Sequence, residues 1–248
     1  MKFDYGKMYA TQEDKYFDWV HKAGLWKAQK LCELISNEET NSILEIGTGT
    51  GDVLNACRIF KKRVGADIST EAIQMHRNKY SSHHLVKIDA NASLPFERDE
   101  FDFALLCDIL EHVKDPIKLL KEAARVGKNV MLKIPVEKAL LINTMNKIRS
   151  VTYGAEHPSG HLHCWNLQEI LEMIDKSELT LSQGKFINTP ITLIKKKNPI
   201  KTFVFLLVNA LDVFTHKKFF ARLLIGGSFF AIVKKNPKVI DKQTENSK

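Results

Sequence analysis

The most constraining feature of the sequence is an alternation of short apolar runs with helical segments over residues 12–134. Helical patterns cover about 12–36, 53–57, 70–80 and 115–124. Parallel strands need a crossover connection of about a dozen residues, and this connection is usually a helix. The alternation therefore predicts an α/β fold, with a parallel sheet and helices on both of its faces. The predicted strands are SILEI (42–46), RVGAD (63–67), HLVKID (84–89), FDFALL (101–106) and NVMLKI (129–134).

The rest of the chain adds one helix and two strands to this pattern. A helix over 167–175 begins after Asn166, and Glu169 follows at the spacing of a capping box. Two last strands are predicted over 179–187 and 228–233. Because no internal repeat is present, we predict a single domain over 1–236. It comprises N-terminal helices (1–40) and a helical insertion (190–226), and a polar tail follows it (237–248).

The composition is that of a globular protein. Hydrophobic residues make up 44% of the chain and charged residues 27%, which is an ordinary balance. No run reaches the roughly 18 apolar residues of a membrane span, and the polar N-terminus lacks the apolar core of a signal peptide. The four cysteines form no CxxC pair, so we expect reduced thiols and a cytoplasmic location.

The net charge of +8 is carried largely by lysines in the last quarter of the chain. Such a charge suits a nucleic acid, an anionic membrane or an acidic substrate, and it also serves solubility alone. Within this region, residues 195–225 combine an aromatic-rich apolar run with flanking lysines. We expect this segment to pack on the sheet, to cap an acceptor pocket or to make a peripheral membrane contact.

A glycine cluster, EIGTGTGD (45–52), follows the first predicted strand directly. Gly47, Gly49 and Gly51 allow the backbone to turn tightly and to approach a ligand without interference from a Cβ atom. Their GxGxG spacing differs from the GxGxxG spacing of dinucleotide-binding proteins. The cluster therefore indicates a nucleoside-bearing ligand that lacks a pyrophosphate.

Acidic residues end the first three predicted strands. These residues are Glu45, Asp67 and Asp89, and ligands of open α/β sheets bind at the carboxyl edge where such strands end. Asp67 comes 20 residues after Gly47, a position at which a carboxylate accepts ribose hydroxyls. Asp89 and Ala90 are placed to meet an adenine amino group.

The segments ILEIGTGTGDV (43–53), VGADIST (64–70) and IDANASLPFERDEFDFALLCDILEHVKDP (88–116) resemble successive motifs of class I S-adenosylmethionine (SAM)-dependent methyltransferases. The similarity is strongest to the ubiquinone/menaquinone-biosynthesis-like group, which methylates small molecules, and it covers about residues 40–135. It implies SAM as the cofactor and N-terminal helices that fold over it as a lid. It also implies a Rossmann-like seven-stranded sheet, mostly parallel, with SFFAIV (228–233) as its antiparallel last strand.

The resemblance further implies which residues contact SAM. Cys107 stands where many relatives carry serine or asparagine, and backbone contacts survive this change. His112 is expected near the cofactor in a structural rather than a chemical role. The candidates for the lid are Tyr5, Tyr9, Tyr16 and Trp19. The implied cofactor contacts are Glu45, Gly47, Asp67, Ile68, Asp89, Ala90 and Cys107, to which we add Thr48, Gly49 and Gly51 of the glycine cluster and His112.

The histidine-rich segment EHPSGHLHCW (156–165) lies before the helix at 167–175, on the acceptor side in the resembled family. A hydroxyl acceptor needs a base to remove its proton, whereas a neutral amine does not. We predict that His161 or His163 is this base or binds the substrate, and His157 is a weaker candidate. One of these histidines can instead be structural. Because no second ligand cluster has zinc spacing, no metal site is predicted.

The sequence thus predicts an enzyme that methylates a hydroxyl or amine of a small-molecule or lipid-like acceptor. The net charge suggests an RNA methyltransferase as the alternative. CDIL (107–110) follows the fourth strand, where an exocyclic-amine methylase carries Asn/Asp-Pro-Pro-aromatic to hold a flipped base. Nucleic acid is therefore the disfavoured acceptor. An intact glycine cluster with its acids argues against a non-catalytic SAM-fold partner protein, and its spacing argues against an NAD enzyme. The oligomeric state stays open.

Overall fold

The computed structural model describes residues 14–35, 40–138, 160–188, 190, 193, 206–207 and 227–237. The helices are α1 (Asp14–Cys32), α2 (Asp52–Ala56), α3 (Thr70–Lys79), α4 (Pro116–Val126) and α5 (Leu167–Lys176), and a short 3₁₀ turn covers Leu110–His112. The strands are β1 (Ser42–Ile46), β2 (Lys62–Asp67), β3 (His84–Lys87), β4 (Phe101–Cys107), β5 (Gly127–Val136), β6 (Leu179–Ile187) and β7 (Gly227–Lys235).

The seven strands form one sheet in the order β3-β2-β1-β4-β5-β7-β6. Strands β1 to β5 pair in parallel, and β7 is antiparallel to both of its neighbours, β5 and β6. The predicted fold class is therefore confirmed, including the antiparallel last strand. The strand order reverses between β1 and β4, and ligands of such sheets bind at this reversal.

Helices cover both faces of the sheet because its central strands are apolar on both sides. On one face, Leu44 and Leu106 pack in a core with Leu120 of α4 and Ile170 of α5. On the other face, Ile43, Phe103 and Phe230 pack with Leu31 of α1 and Leu54 of α2. Neighbours along β1 thus point to opposite faces, as the two-residue period of a strand requires. Helix α1 is held on the face next to β7, with Trp26 edge-on to Phe230 at 5.3 Å between ring centroids.

Several elements differ from the sequence expectations. Helix α1 ends at Cys32 rather than at about residue 36, whereas α2, at Asp52–Ala56, lies within one residue of its predicted bounds. Strand β3 ends at Lys87, so Asp89 lies in the loop beyond it. Just before β3, His83 is buried, and its ring packs against His76 and Tyr80.

Some predictions concern residues outside the described ranges. These are Tyr5 and Tyr9 of the lid, residues 156–159 of the histidine-rich segment, most of the insertion at 190–226 and nearly all of the tail. Among the described residues, no helix is both long and apolar enough to cross a bilayer.

Candidate cofactor and acceptor site

The glycine loop between β1 and α2 has a backbone that only glycine adopts readily. Gly47, Gly49 and Gly51 have φ angles of 78°, 51° and 80°, in the left-handed region. A Cβ atom on Gly47 would lie 2.4 Å from Cδ1 of Ile109, and one on Gly51 would lie 2.3 Å from Nε2 of His76. The N–H groups of Gly47 and Thr48 donate to the Ala66 carbonyl at 2.7 and 3.0 Å. The loop is therefore fixed against the end of β2.

Glu45, near the end of β1, stabilises this loop through a side-chain hydrogen bond. Its side chain is 2% exposed, and its carboxylate accepts a hydrogen bond from Thr48 Oγ1 at 2.9 Å. Burial raises the pKa of Glu45 to about 8, because a charged carboxylate is costly away from water. Thr48 Oγ1 also lies 3.3 Å from Nδ1 of His76. Glu45 and Thr48, both predicted to contact the cofactor, thus also brace the turn through their side chains.

Asp67 stands at the end of β2 and faces the loop. Its Oδ2 accepts the Gly49 N–H at 2.8 Å, and its Oδ1 accepts the Ser69 N–H at 3.0 Å. Burial raises the pKa of this carboxyl group, and the backbone donors oppose that rise. Each carboxylate oxygen has a second lone pair, so hydroxyl groups of a ligand can still be accepted. Ile68, next to Asp67, exposes 41% of its surface and offers an apolar face at this edge.

The remaining predicted cofactor contacts lie along the same edge. Asp89 is exposed, and its Oδ1 accepts both the backbone N–H and the side-chain amide of Asn91 at 2.9 Å. Ala90 packs against the core. Cys107 ends β4 and packs in the core; burial raises the pKa of its thiol, which therefore stays protonated.

These residues fit SAM in their chemistry. The loop has positive-φ glycines where a Cβ atom would clash, a carboxylate acceptor suited to ribose hydroxyls and an exposed apolar side chain for a purine ring. SAM carries no phosphate, and no cationic phosphate ligand is part of the loop sequence.

A cavity of about 240 Å³ lies beside this edge and is covered by α1; we refer to it as the α1 cavity. Strands β5 and β7 and the segment directly after β4 form its base. The α1 cavity is close to the glycine loop. Ile109 packs against Gly47 of the loop, and Asp108, the residue before Ile109, lines the cavity. The lining residues are Trp19, Ala23, Trp26, Lys27, Asp108, Glu111, His112, Lys133, Pro135, His161, Leu193 and Ser228.

Two lysines converge on Asp108 at the base of the α1 cavity. Lys27 of α1 approaches the Asp108 carboxylate at 2.7 Å, and Lys133 of β5 donates to its other oxygen. Burial alone would raise the pKa of Asp108, but the two ammonium groups outweigh it and the pKa lies below its usual range. Asp108 has a φ of 54°, a strained value for a non-glycine residue. The two ion pairs therefore hold Asp108 in an unusual backbone conformation.

The structure separates the two histidines predicted to act on the acceptor. His161 lines the α1 cavity, and its Nδ1 lies 2.7 Å from the Glu137 carboxylate. His163 does not line the cavity. Its Nε2 donates to the Val113 carbonyl at 3.0 Å, and its ring stacks on Trp165 at 5.3 Å. His161 is thus positioned for chemistry on a bound molecule, while His163 holds two segments together.

Sequence reasoning missed several residues of this site. Lys133 gave a usable signal, since it is a charged residue within the otherwise apolar run NVMLKI. Lys27 and Glu111 have no such signal in the sequence. Lys27 reaches the cavity from α1, and Glu111 reaches it from the 3₁₀ turn, in both cases through tertiary packing. His112, expected near the cofactor, lines the α1 cavity, with its ring edge-on to His161 at 4.8 Å.

Comparison with known proteins agrees with this geometry. Residues 44–130 match the family described as a methyltransferase domain. A relative from Methanocaldococcus jannaschii, described only as an uncharacterised protein, is 33% identical over 120 residues. That match covers 48% of this chain, and the chain spans about half (54%) of the relative's length.

Solved structures show the same fold at low sequence identity. A complex between the Haloferax volcanii Trm112 methyltransferase activator and a proposed methyltransferase matches with a TM-score of 0.66 and 18% identity, covering 94% of this chain and 98% of the other. A Thermotoga maritima SAM-dependent methyltransferase, described as a possible histamine N-methyltransferase, matches at 0.59 and 20%, covering 90% and 95%. Magnesium protoporphyrin IX methyltransferase from Synechocystis, with bound S-adenosylhomocysteine (SAH), matches at 0.58 and 12%, covering 88% and 84%. Residues 44–130 therefore resemble a methyltransferase domain, and the chain has the fold of these solved methyltransferases.

Proposed function

We propose that this protein binds SAM at the glycine loop and transfers its methyl group to a hydroxyl or amine of a small-molecule acceptor in the α1 cavity. One observation carries the proposal: the loop and the cavity are joined through consecutive residues, Ile109 under Gly47 and Asp108 at the cavity base. The two binding places are thus adjacent, as a direct transfer between two bound molecules requires.

The protein's main task in this reaction is to align the acceptor and exclude water. Bound SAM supplies a methyl group that is already activated by its sulfonium. Trp19 and Trp26 give the cavity flat apolar walls, which suit a ring or an aliphatic body. The cluster of Lys27, Asp108 and Lys133 carries one net positive charge, which suits an acceptor with an acidic or oxygen-rich group.

His161 is the residue that we expect to act on an acceptor proton. It stands at the cavity, and its Nδ1 is engaged with Glu137, which orients the ring in the manner of a base held by a carboxylate. His161→Ala should lower turnover by roughly 10²–10⁴ if the acceptor is a hydroxyl. His163→Ala is the matched control, because His163 lies outside the α1 cavity, and it should keep most of the turnover.

Radiolabelled SAM tests the whole proposal. The label should pass to a molecule in the low-molecular-weight fraction of a cell extract, and calorimetry should show that SAM and SAH bind to the full chain. Absence of binding by both SAM and SAH would refute the assignment. Normal turnover in both histidine variants would restrict the histidines to structural roles.

A second candidate is methylation of a macromolecule, with RNA as the first possibility. The net charge of +8 favours it, and the Haloferax volcanii neighbour was solved in complex with a methyltransferase activator. Label that appears in the RNA fraction and disappears after ribonuclease treatment would select this candidate over the small molecule.

A further inference from the structure

Three side chains of metal-ligating type converge at one end of the α1 cavity. Glu111 and His112 belong to the 3₁₀ turn after β4, and His161 comes from the segment before α5. One ligand-type atom from each of the three lies within 4.8 Å of the other two. The two segments are also joined by their backbones, since the Glu111 carbonyl accepts the N–H groups of Leu162 and His163 at 2.7 and 3.2 Å. The grouping is thus a fixed part of the fold.

Glu111 supplies an independent sign of a ligand. It is 1% exposed and lines the α1 cavity, and its Oε2 has no hydrogen-bond partner among the described residues. A buried carboxylate oxygen without a donor is costly. A cation bound at this oxygen would remove that cost.

The two imidazoles are oriented as histidine ligands of metal ions usually are. Nδ1 of His112 donates to the Gly160 carbonyl at 3.2 Å, and Nδ1 of His161 donates to the Glu137 carboxylate at 2.7 Å. A hydrogen on Nδ1 of a neutral imidazole leaves the lone pair on Nε2. Bonds of this kind, to a carbonyl and to a carboxylate, fix the tautomer and ring orientation of metal-binding histidines.

We propose that Glu111, His112 and His161 bind a divalent first-row transition-metal ion, of the class of Zn²⁺ and Mn²⁺. One carboxylate and two imidazoles form a donor set that such ions accept, and three protein ligands leave coordination positions open for another molecule. Glu137 and Cys164 form a second grouping with His161. Because Nδ1 of His161 already bonds to Glu137, we assign Glu137 as the group that orients this ligand.

The open coordination positions would face the α1 cavity, which Glu111, His112 and His161 all line. This step rests on the proposed function: an oxygen-bearing acceptor would bind the metal ion through its oxygen. In that case His161 would act on the acceptor as a metal ligand instead of as a base: the metal ion would lower the pKa of the bound hydroxyl, and the proton would pass to water. Metal binding itself does not depend on this step and is tested separately.

The test uses the full chain without an affinity tag that binds metals, stripped with a chelator and titrated with ZnCl₂ or MnCl₂ alone. Calorimetry should show one site. Glu111→Gln, which keeps the side-chain volume, and His161→Ala should each weaken binding at least tenfold. His84→Ala, at an exposed histidine away from this cluster, is the matched control and should bind as the wild type does. Cobalt(II) added to the wild type should give visible absorption bands of a nitrogen- and oxygen-ligated ion.

Three results would overturn the proposal: no metal binding by the stripped wild type, undiminished affinity in Glu111→Gln, or loss of binding in Cys164→Ser alone. Circular dichroism melting checks that each variant folds. If Glu111→Gln does not fold, the cobalt spectrum of the wild type tests the metal site instead. SAM binding to the stripped protein is measured in parallel. Loss of the metal site with intact SAM binding refutes only this inference and leaves the proposed function standing.

Discussion

Asp67 is the residue on which recognition of SAM depends most directly in the proposed function. Its carboxylate already holds the N–H groups of Gly49 and Ser69, so the same group both shapes the loop and faces the ligand. Hydrogen bonds to a charged group contribute about 1.5–3 kcal/mol each, and about 1.4 kcal/mol corresponds to a factor of ten in affinity. Asp67→Ala should therefore lower the affinity for SAM by about tenfold or more, as measured by calorimetry.

The control for this change is Asp175→Ala, which removes an exposed aspartate of α5 far from the loop. The free energy of unfolding of both variants should be measured by urea titration, because loss of the loop contacts also destabilises the fold. Asp67→Ala that binds SAM with wild-type affinity would contradict the assignment of this edge as the ribose site.

His76 makes the stability of the protein depend on pH. Its ring is fully buried under Gly51, and its Nε2 lies 2.8 Å from Nδ1 of His83. Burial, with a further contribution from His83, lowers the pKa of His76 to about 4. Of its other charged neighbours, Asp52 opposes this decrease and Lys79 adds to it. The folded chain therefore keeps this ring neutral at pH values where the unfolded chain protonates it.

The direction of the pH effect follows from this difference. Between about pH 6.5 and pH 4 the unfolded state binds more protons, so the free energy of unfolding should fall by up to about 3 kcal/mol as the pH is lowered. Urea titrations at several pH values should show a smaller decrease for His76→Gln than for the wild type. His84→Gln, at an exposed histidine, should leave the decrease unchanged. An equal decrease in all three proteins would assign it to other groups.

The residues of the site differ in how far sequence alone predicts them. Asp67 ends β2, and Gly47 and Ile68 directly follow strand ends, so their positions at the carboxyl edge are predictable from the strand pattern. The positions of Glu111 and Lys27 are not, because the turn after β4 and the α1 helix reach the cavity only through tertiary packing. The metal ligands that we propose come from two distant segments, so the search for zinc-type spacing could not detect them.

At the scale of elements, α5 shows how a local signal determines a helix start. The Asn166 side chain accepts the Glu169 N–H at 3.0 Å, and the Glu169 carboxylate accepts the Asn166 N–H at 2.9 Å. This capping box was predicted from the sequence and is confirmed. Asn166→Ala should lower the free energy of unfolding by about 0.5–2 kcal/mol, since the cap satisfies a backbone donor that the helix leaves unpaired.

Denaturant titration of the purified chain checks this value. Gln168→Ala is the matched change, because Gln168 is an exposed residue of the same helix turn, and it should shift stability by less than about 0.5 kcal/mol. Equal effects of the two substitutions would show that the cap contributes little to the fold.

The strands follow the sequence most closely where their ends are set by local signals. β1 and β6 have the predicted bounds: β1 is an apolar run that ends at the glycine cluster, and β6 begins directly after the turn that ends α5. β5 starts two residues earlier than predicted because Gly127 pairs with Phe101 directly after α4. A Cβ atom on Gly127 would lie 2.8 Å from the Ala104 backbone nitrogen, so this close approach depends on a tertiary contact that the pattern does not contain.

At the scale of the whole molecule, the net charge of +8 makes contact with an anionic membrane surface a testable property. The segment proposed for peripheral contact, 195–225, lies largely outside the described residues. Of the three roles expected for this segment, membrane contact is the disfavoured one, so the chain should stay unbound in flotation with anionic liposomes. Flotation at low salt that is lost at high salt would contradict this and indicate charge-driven attachment.

The choice of cofactor affects the whole fold, because a ligand that binds only the folded state raises its stability. A ligand present at 100 times its dissociation constant adds about 2.7 kcal/mol, and a domain of this size gains roughly 2–4 °C in melting temperature per kcal/mol. SAM and SAH should therefore raise the melting temperature by about 5–10 °C. NAD at the same concentration should give no shift, because its pyrophosphate would meet an acidic group. This acidic group is Asp52, in the first turn of α2 directly after the glycine loop. Its carboxylate already pairs with His21 and Lys79, so the Lys79 ammonium is engaged with Asp52 and not with a pyrophosphate. A shift with NAD and none with SAM, measured by differential scanning fluorimetry, would reverse the assignment of the loop.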